Sequence, residues 1–304
     1  MSDLPHSTPA VEQQNPNKNL LILHFTVFIW GFTGILGALI SVNAVQMVWY
    51  RVLIAAITLF IYFRVRKTSI KVTRSQFFQY ISTGAIVALH WILFFHAIKV
   101  STVSVTLVCL SSLTLFIAIL EPLIKKQRIS IPDIVVGIVI IIGIYLIFKF
   151  ESKYTLGIIF GLSCALAAAL FSIINSNLVK KKEAGIIGFY EISGAFFWIT
   201  LYRIFDQSLF SEHFDLSSKD WFYLLILGTI CTALAYVAGV SVMRTLSAFR
   251  VALITNLEPV YGILLALLFF GNKETMTLGF YLGAVVILAA VFLYPIYKKR
   301  KNLQ

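Results

Sequence analysis

The sequence predicts an all-α polytopic membrane protein: ten transmembrane helices forming two inverted five-helix repeats. Composition, run length and an internal repeat all point to it. Hydrophobic residues make up 59% of the 304-residue chain and charged residues 12%, about half the charge of an ordinary soluble domain. Mean hydropathy is +0.90. The apolar runs are about 20 residues long, enough for a helix to cross the hydrocarbon core. A membrane barrel would show short alternating segments instead, and in lipid only helices and closed barrels satisfy their own backbone polar groups. Finally, Lys99–Leu113 (KVSTVSVTLVCLSSL) lies over Thr245–Pro259 (TLSAFRVALITNLEP), with Ser101 on Ser247, Val105 on Val251 and Leu107 on Leu253. The same register lays Gly137 on Gly283, and further upstream Tyr50-Arg51 lies over Tyr190-Glu191. An odd number of spans in each half turns the second copy upside down relative to the first.

The elements follow in order. Residues 1–19 are polar, carry Pro5, Pro9 and Pro16, and lack a basic region leading to a cleavage site. They are expected to be a disordered cytoplasmic tail rather than a signal peptide. The first repeat, 20–150, holds the apolar runs Leu20–Ile40, Val45–Phe63, Phe77–Ile98, Val103–Ile124 and Ile134–Phe148, the last being the shortest. The second repeat, 155–297, holds Leu156–Leu178, Ile186–Phe205, Trp221–Met243, Ala248–Phe270 and Leu278–Tyr297. Residues 298–304 are expected to be a basic cytoplasmic tail. Between runs the chain turns at charged loops: Arg64 to Arg74, Lys125 to Arg128, Lys180 to Lys182, and Lys298 to Lys301. These all fall on the amino-terminal side. The opposite side carries only Lys99, Lys149, Lys153, Arg203, Lys219 and Lys273. The excess of loop Lys and Arg predicts both termini in the cytoplasm of a cell (inner) membrane.

That placement also accounts for the net charge of +12, so no nucleic-acid partner is expected. Cys109, Cys164 and Cys231 lie inside apolar runs without CxxC spacing or histidine partners at metal-ligand spacing. They are expected to be small packing residues, with no metal and no cofactor. The longest outer connection, Asp206 to Asp220, is too short to fold alone, and no GxxxxGK[ST] phosphate loop exists. Primary transport would need a separate ATPase.

An intramembrane charge costs about 2.5–3.5 kcal/mol on insertion scales, so each one needs a reason. Arg51 lies below the outer interface of the second span. It either attracts a substrate carboxylate or phosphate, or snorkels to headgroups. Glu191 holds the matching place in the seventh span, near the inner side, as a gating or coupling candidate. Glu258-Pro259 sits near the middle of the ninth span. Proline weakens the helix there, and freed carbonyls beside a carboxylate suit a proton, a cation or a substrate amine. The other reading is a structural kink. Glu121, before Pro122, is either a gate or an i,i+4 partner of Lys125. His90 and Trp91 on the third span and Tyr236 on the eighth are candidate cavity lining, against a packing role. Trp30, Trp49, Tyr50 and Tyr190 are either cavity walls or interface anchors. Ser111, Thr114, Asn175 and Asn177 either line a cavity or glue helices together. Gly157…Gly161 and Gly279…Gly283 permit close contact, either within the chain or at a homodimer face.

The residues WGFTG (Trp30–Gly34), YRVLIA after Trp49, LSSLTLFIAILEP (Leu110–Pro122) and SAFRVALITNLEPVYGILLALLFFGNKET (Ser247–Thr275) resemble the EamA family of the drug/metabolite transporter superfamily. The resemblance spans about residues 20–297. The last stretch is similar to the family's hallmark, a mid-span proline followed by an outer glutamate, here Glu274. Resemblance implies a cavity lined by spans 1, 3, 4, 6, 8 and 9, with spans 5 and 10 as outer scaffold. It also implies ATP-independent movement of small metabolites, often amino-acid efflux. No enzymatic activity is expected, because the sequence shows no HxxxH, DxxxD or Ser/His/Asp cluster. The first repeat departs from the hallmark: Leu113 replaces the proline and Arg128 stands where the second repeat has Glu274. A proline-dependent hinge in that half is therefore not expected. The expected partners are a small-molecule substrate, the lipid bilayer and a coupling proton or cation. Rival readings are a membrane-embedded enzyme, which would need an acid/base or metal cluster near an interface, and a non-transporting sensor or assembly subunit.

Overall fold

A computed structural model describes residues 16–126, 131–211 and 216–300. Helix α1 (Pro16–Leu39) starts earlier than expected and takes the last turn of the expected tail. Proline's fixed φ and missing N–H suit a first helical position. Residues 1–15 and Arg128 lie outside the described residues. Helix α2 (Ala44–Val65) is capped by Asn43, whose side chain accepts from the Gln46 N–H. Helix α3 (Arg74–Val100) opens on a reciprocal Thr73/Gln76 capping box. The fourth span is α4 (Val103–Leu110) followed by α5 (Leu113–Ile124), and the fifth is α6 (Ile131–Phe150).

The second half repeats the plan. It contains α7 (Thr155–Leu178), α8 (Ala184–Phe205) and a short α9 (Ser208–Ser211) in the long connection. The eighth span joins α10 (Ser218–Gly228), a π-helical turn over Thr229–Leu234, and α11 (Ala235–Val242). The ninth joins α12 (Ala248–Thr255) and α13 (Leu257–Phe270), and the tenth is α14 (Leu278–Arg300), which continues into the expected basic tail. Eight of these spans are long and apolar enough to cross a membrane. The fifth and tenth contribute the shorter apolar stretches Val135–Ile147 and Leu278–Tyr294.

Spans 4 and 9 break at matching places. In the ninth the break is at Asn256, just ahead of Glu258-Pro259. The first half breaks at Ser111-Ser112 without a proline, so this break does not depend on one, in keeping with Leu113 at the matching place. The reason lies in the serines. Ser111 Oγ donates to the Leu107 carbonyl and Ser112 Oγ to that of Cys109, and such back-bonding competes with the helical ladder.

Helix pairing shows the repeat. Helix α1 packs on α13 as α7 packs on α5, and α3 meets α7 and α8 as the eighth span meets α1 and α2. The pairs α2–α8 and α6–α14 join counterparts directly. Exchanging each helix for its counterpart returns most of the pairs, as a pseudo-two-fold relation requires. With five crossings per half, the two halves run antiparallel. Helices α6 and α14 pack chiefly on each other and form the outer scaffold. Both glycine pairs are used inside the chain. A Cβ at Gly161 would stand 2.7 Å from that of Cys109, and one at Gly283 would stand 2.7 Å from the Gly143 carbonyl.

Outward-facing side chains are large and apolar, including Leu21, Phe25, Ile61, Leu268 and Leu282. In water such a belt would be an aggregation surface. In a bilayer it meets acyl chains. The helix ends are tied by polar bonds. On the face where α1 begins, Asn19 Nδ2 donates to Thr245 Oγ1 at 2.8 Å and Tyr190 Oη to the Ile70 carbonyl at 3.0 Å. On the opposite face Asp220 accepts from both the N–H and the Oγ of Ser41, each at 2.8 Å. Lys99 Nζ donates to the Ile40 carbonyl.

Candidate functional site

The helical breaks surround a cavity with about 800 Å³ of space not filled by atoms, its open part included. Its walls come from α1 (Trp30, Thr33), α2 (Arg51), α3 (His90, Trp91, Phe94), the fourth-span break (Leu110, Leu113) and α7 (Ala168, Phe171, Ser172). The eighth span adds Cys231, Tyr236 and Met243, and the ninth adds Val251, Thr255 and Glu258. Spans 1, 3, 4, 6, 8 and 9 are those the resemblance implied; Arg51 brings in span 2. The lining reaches Met243, at the end of α11 on the amino-terminal face. Among the described residues, none from the opposite-face connections contributes.

Arg51, His90, Trp91, Tyr236 and Glu258, far apart in sequence, thus share one cavity. Arg51 is 2% exposed. Its guanidinium lies over the Trp91 ring, 4.4 Å from the centroid, and 5.4 Å from that of Phe95. Its Nε donates to Thr232 Oγ1 at 2.5 Å, while Nη1 has no hydrogen-bond partner. Thr232 lies in the π-helical turn, and its Oγ1 donates to the Leu227 carbonyl five residues back at 2.6 Å. Such turns recur at functional sites. Glu258 stands in the first turn of α13, where the positive end of the helix favours a carboxylate. Arg51 and Glu258 form no ion pair with each other; among the described residues the salt bridge is Lys125–Glu121.

His90 Nδ1 lies 3.1 Å from the Cys164 carbonyl oxygen. The Cys164 Sγ lies at the same 3.1 Å from Nδ1, so that nitrogen donates to the carbonyl in one tautomer and accepts from the thiol in the other. The His90 ring meets that of Phe171 edge-on at 5.3 Å. The Tyr236 ring meets that of Trp91 at 5.5 Å. Behind it, Tyr236 Oη donates to Glu191 Oε2 at 2.8 Å, and Asn175 Nδ2 donates to the same oxygen at 3.2 Å. Arg51 and Glu191, matching positions of the two repeats, are therefore linked through Trp91 and Tyr236.

Glu121, Glu191 and Pro259 stand outside the lining. Glu121 Oε1 pairs with Lys125 Nζ at 2.5 Å, one helical turn on. Pro259 is buried in α13. Of the aromatic candidates, Trp30 lines the cavity. Trp49 lies under Arg203, with its centroid 5.2 Å from the guanidinium, and Tyr190 bonds the Ile70 carbonyl. Asn256, which had not been singled out, donates to Thr114 Oγ1 at 2.6 Å and joins the two breaks across the repeats. Thr33, Cys231 and Thr232 were also missed. No residue pattern marks Thr232, because the π-helical turn that presents it is set by packing. Cys231 had been expected only to pack.

A family model described as the EamA-like transporter family matches residues 17–149 and again 155–294, once in each half. The chain belongs to the EamA-like transporter family. It is therefore a multi-pass membrane transporter of the drug/metabolite type. A relative from Archaeoglobus fulgidus, described as an uncharacterized transporter, is 24% identical over 199 residues, covering 64% of this chain and 69% of its own. A protein of known crystal structure superposes with a TM-score of 0.69 at 13% identity, covering 94% of this chain and 100% of the other. That likeness concerns the fold alone.

Proposed function

We propose that this transporter exports small metabolites, amino acids foremost, by alternating access across a cell (inner) membrane with both termini in the cytoplasm. One observation carries the reading: a buried guanidinium with an unused nitrogen and a helix-start carboxylate face one aromatic-walled cavity without pairing to each other. A zwitterion fits both. Its carboxylate meets Arg51, its ammonium meets Glu258, and its side chain lies against Trp91, Phe171 and Tyr236. Each buried charge then gains a partner in low dielectric. The lining that extends to Met243, with none of the described opposite-face connections contributing, supports reading this as an inward-facing state. Rocking of one half against the other would open the far side, and any ligand shifts that equilibrium only through unequal affinity for the two states.

Proteoliposomes loaded with a panel of radiolabelled amino acids and other metabolites test this. Wild type should release a subset of the amino acids. Arg51→Ala and Glu258→Gln should each raise the KM for that subset at least tenfold. Release of no amino acid, or unchanged kinetics in both variants, refutes the reading.

A further inference from the structure

Glu191 is fully buried within α8. One carboxylate oxygen, Oε2, takes both hydrogen bonds on offer, from Tyr236 Oη and Asn175 Nδ2. The other, Oε1, is buried with no partner, and so is Asn175 Oδ1. Two acceptors on neighbouring side chains therefore both lack a donor. A buried polar atom left this way is costly, and a buried charge without a counter-charge more so. Among the described residues no Lys or Arg forms an ion pair with Glu191. The groups facing it are Asn175 from α7, and the titratable Tyr236 from α11 and Tyr80 from α3. From α2 the nearest charge in the chain of contacts is Arg51, two rings away.

We propose that Glu191, with Asn175 and Tyr236, is a proton-binding site that couples substrate movement to a proton gradient, an inference that rests on the transport reading above. One proton on Oε1 turns that oxygen into a donor and offers Asn175 Oδ1 the bond it lacks. With the existing Nδ2 bond to Oε2, this closes the two-bond ring that a carboxylic acid makes with a primary amide. Loss of the proton leaves a carboxylate that pulls Tyr236 and Asn175 toward itself as donors. Tyr236 is a wall of the cavity and touches Trp91, on which Arg51 rests. Proton occupancy thus changes the wall that the substrate meets. The step consists only of proton transfer between solvent and Oε1.

The test uses the full chain in proteoliposomes with a mixture of radiolabelled amino acids as probe. Counterflow, which needs no net proton movement, is compared with accumulation driven by a pH gradient. Wild type should show both. Glu191→Gln, whose amide N–H fills the donor role permanently, should keep counterflow within about twofold and lose gradient-driven accumulation at least tenfold. If Glu191→Gln loses both, Glu191→Asp decides. A shifted pH dependence of accumulation supports the proposal, and an unchanged one overturns it. Infrared difference spectra of the purified protein across a pH titration give a readout free of transport. The carboxylic-acid C=O band of wild type should vanish in Glu191→Gln. Persistence of that band, gradient-driven accumulation retained by Glu191→Gln, or accumulation that follows a sodium gradient instead overturns the proposal. Absence of wild-type counterflow sinks the amino-acid transport reading itself, and the infrared result still stands as a test of the proton site.

Discussion

Replacing Glu274 should destabilise the fold well away from the cavity. Helix α13 ends at Gly271, whose φ of +55° and ψ of −127° form a backbone state that glycine adopts without a Cβ penalty. That turn lets the next residues bring Glu274 back against the first repeat. Its carboxylate accepts from two backbone N–H groups at the start of α4, Val103 at 3.0 Å and Ser104 at 2.9 Å. Both residues are wholly buried, so water cannot take over if the carboxylate goes. Each stranded N–H costs about 1–3 kcal/mol, and loss of a negative charge at a helix start adds about 0.3–1 kcal/mol. Glu274→Ala should therefore lose about 2–7 kcal/mol, at least roughly thirtyfold in the folding equilibrium. Glu274→Gln keeps one accepting oxygen and should lose about half of that. Reversible unfolding of the purified protein in mixed micelles reads the difference. A loss under about 0.5 kcal/mol in Glu274→Ala, or equal losses in the two variants, would refute the cross-repeat cap.

Two further outcomes follow from close contacts. A Cβ at Gly84 would stand 2.8 Å from the Ala195 backbone nitrogen and press on the Glu191 carbonyl. Backbone on both sides cannot yield as a side chain would, so Gly84→Ala should cost at least the about 1–3 kcal/mol typical of overpacking, and an unchanged unfolding midpoint would show α3 and α8 to be farther apart. Asp220→Ala removes both bonds to Ser41. It should free the end of α1 and raise cysteine-labelling rates at Ser41→Cys at least fivefold, and equal labelling would contradict the tie.

Much of the fold was legible in the chain. The long apolar runs, the paired segments around Ser101 and Ser247, and the odd count of spans per half follow from what lipid demands of a backbone. Intramembrane cost also singled out Arg51 and Glu258, and both line the cavity. Other features left no mark. The break at Ser111-Ser112 was hidden because serine back-bonding does the work that proline advertises in the other half. Glu274 was visible only as part of a family resemblance, and nothing near it in sequence points to Val103.

Sequence by itself determined that this protein is helical, lives in lipid and is built twice, because each of those properties is a local sum over hydropathy and length. Only the tertiary structure decided that Arg51 rests on Trp91, that Thr232 turns inward on a π-helical turn, and that Glu191 sits behind Tyr236 with one oxygen unpaired. Those meetings join residues from different helices. They depend on how rigid elements pack side by side, and hydrophobic periodicity along any one helix carries no record of its neighbour.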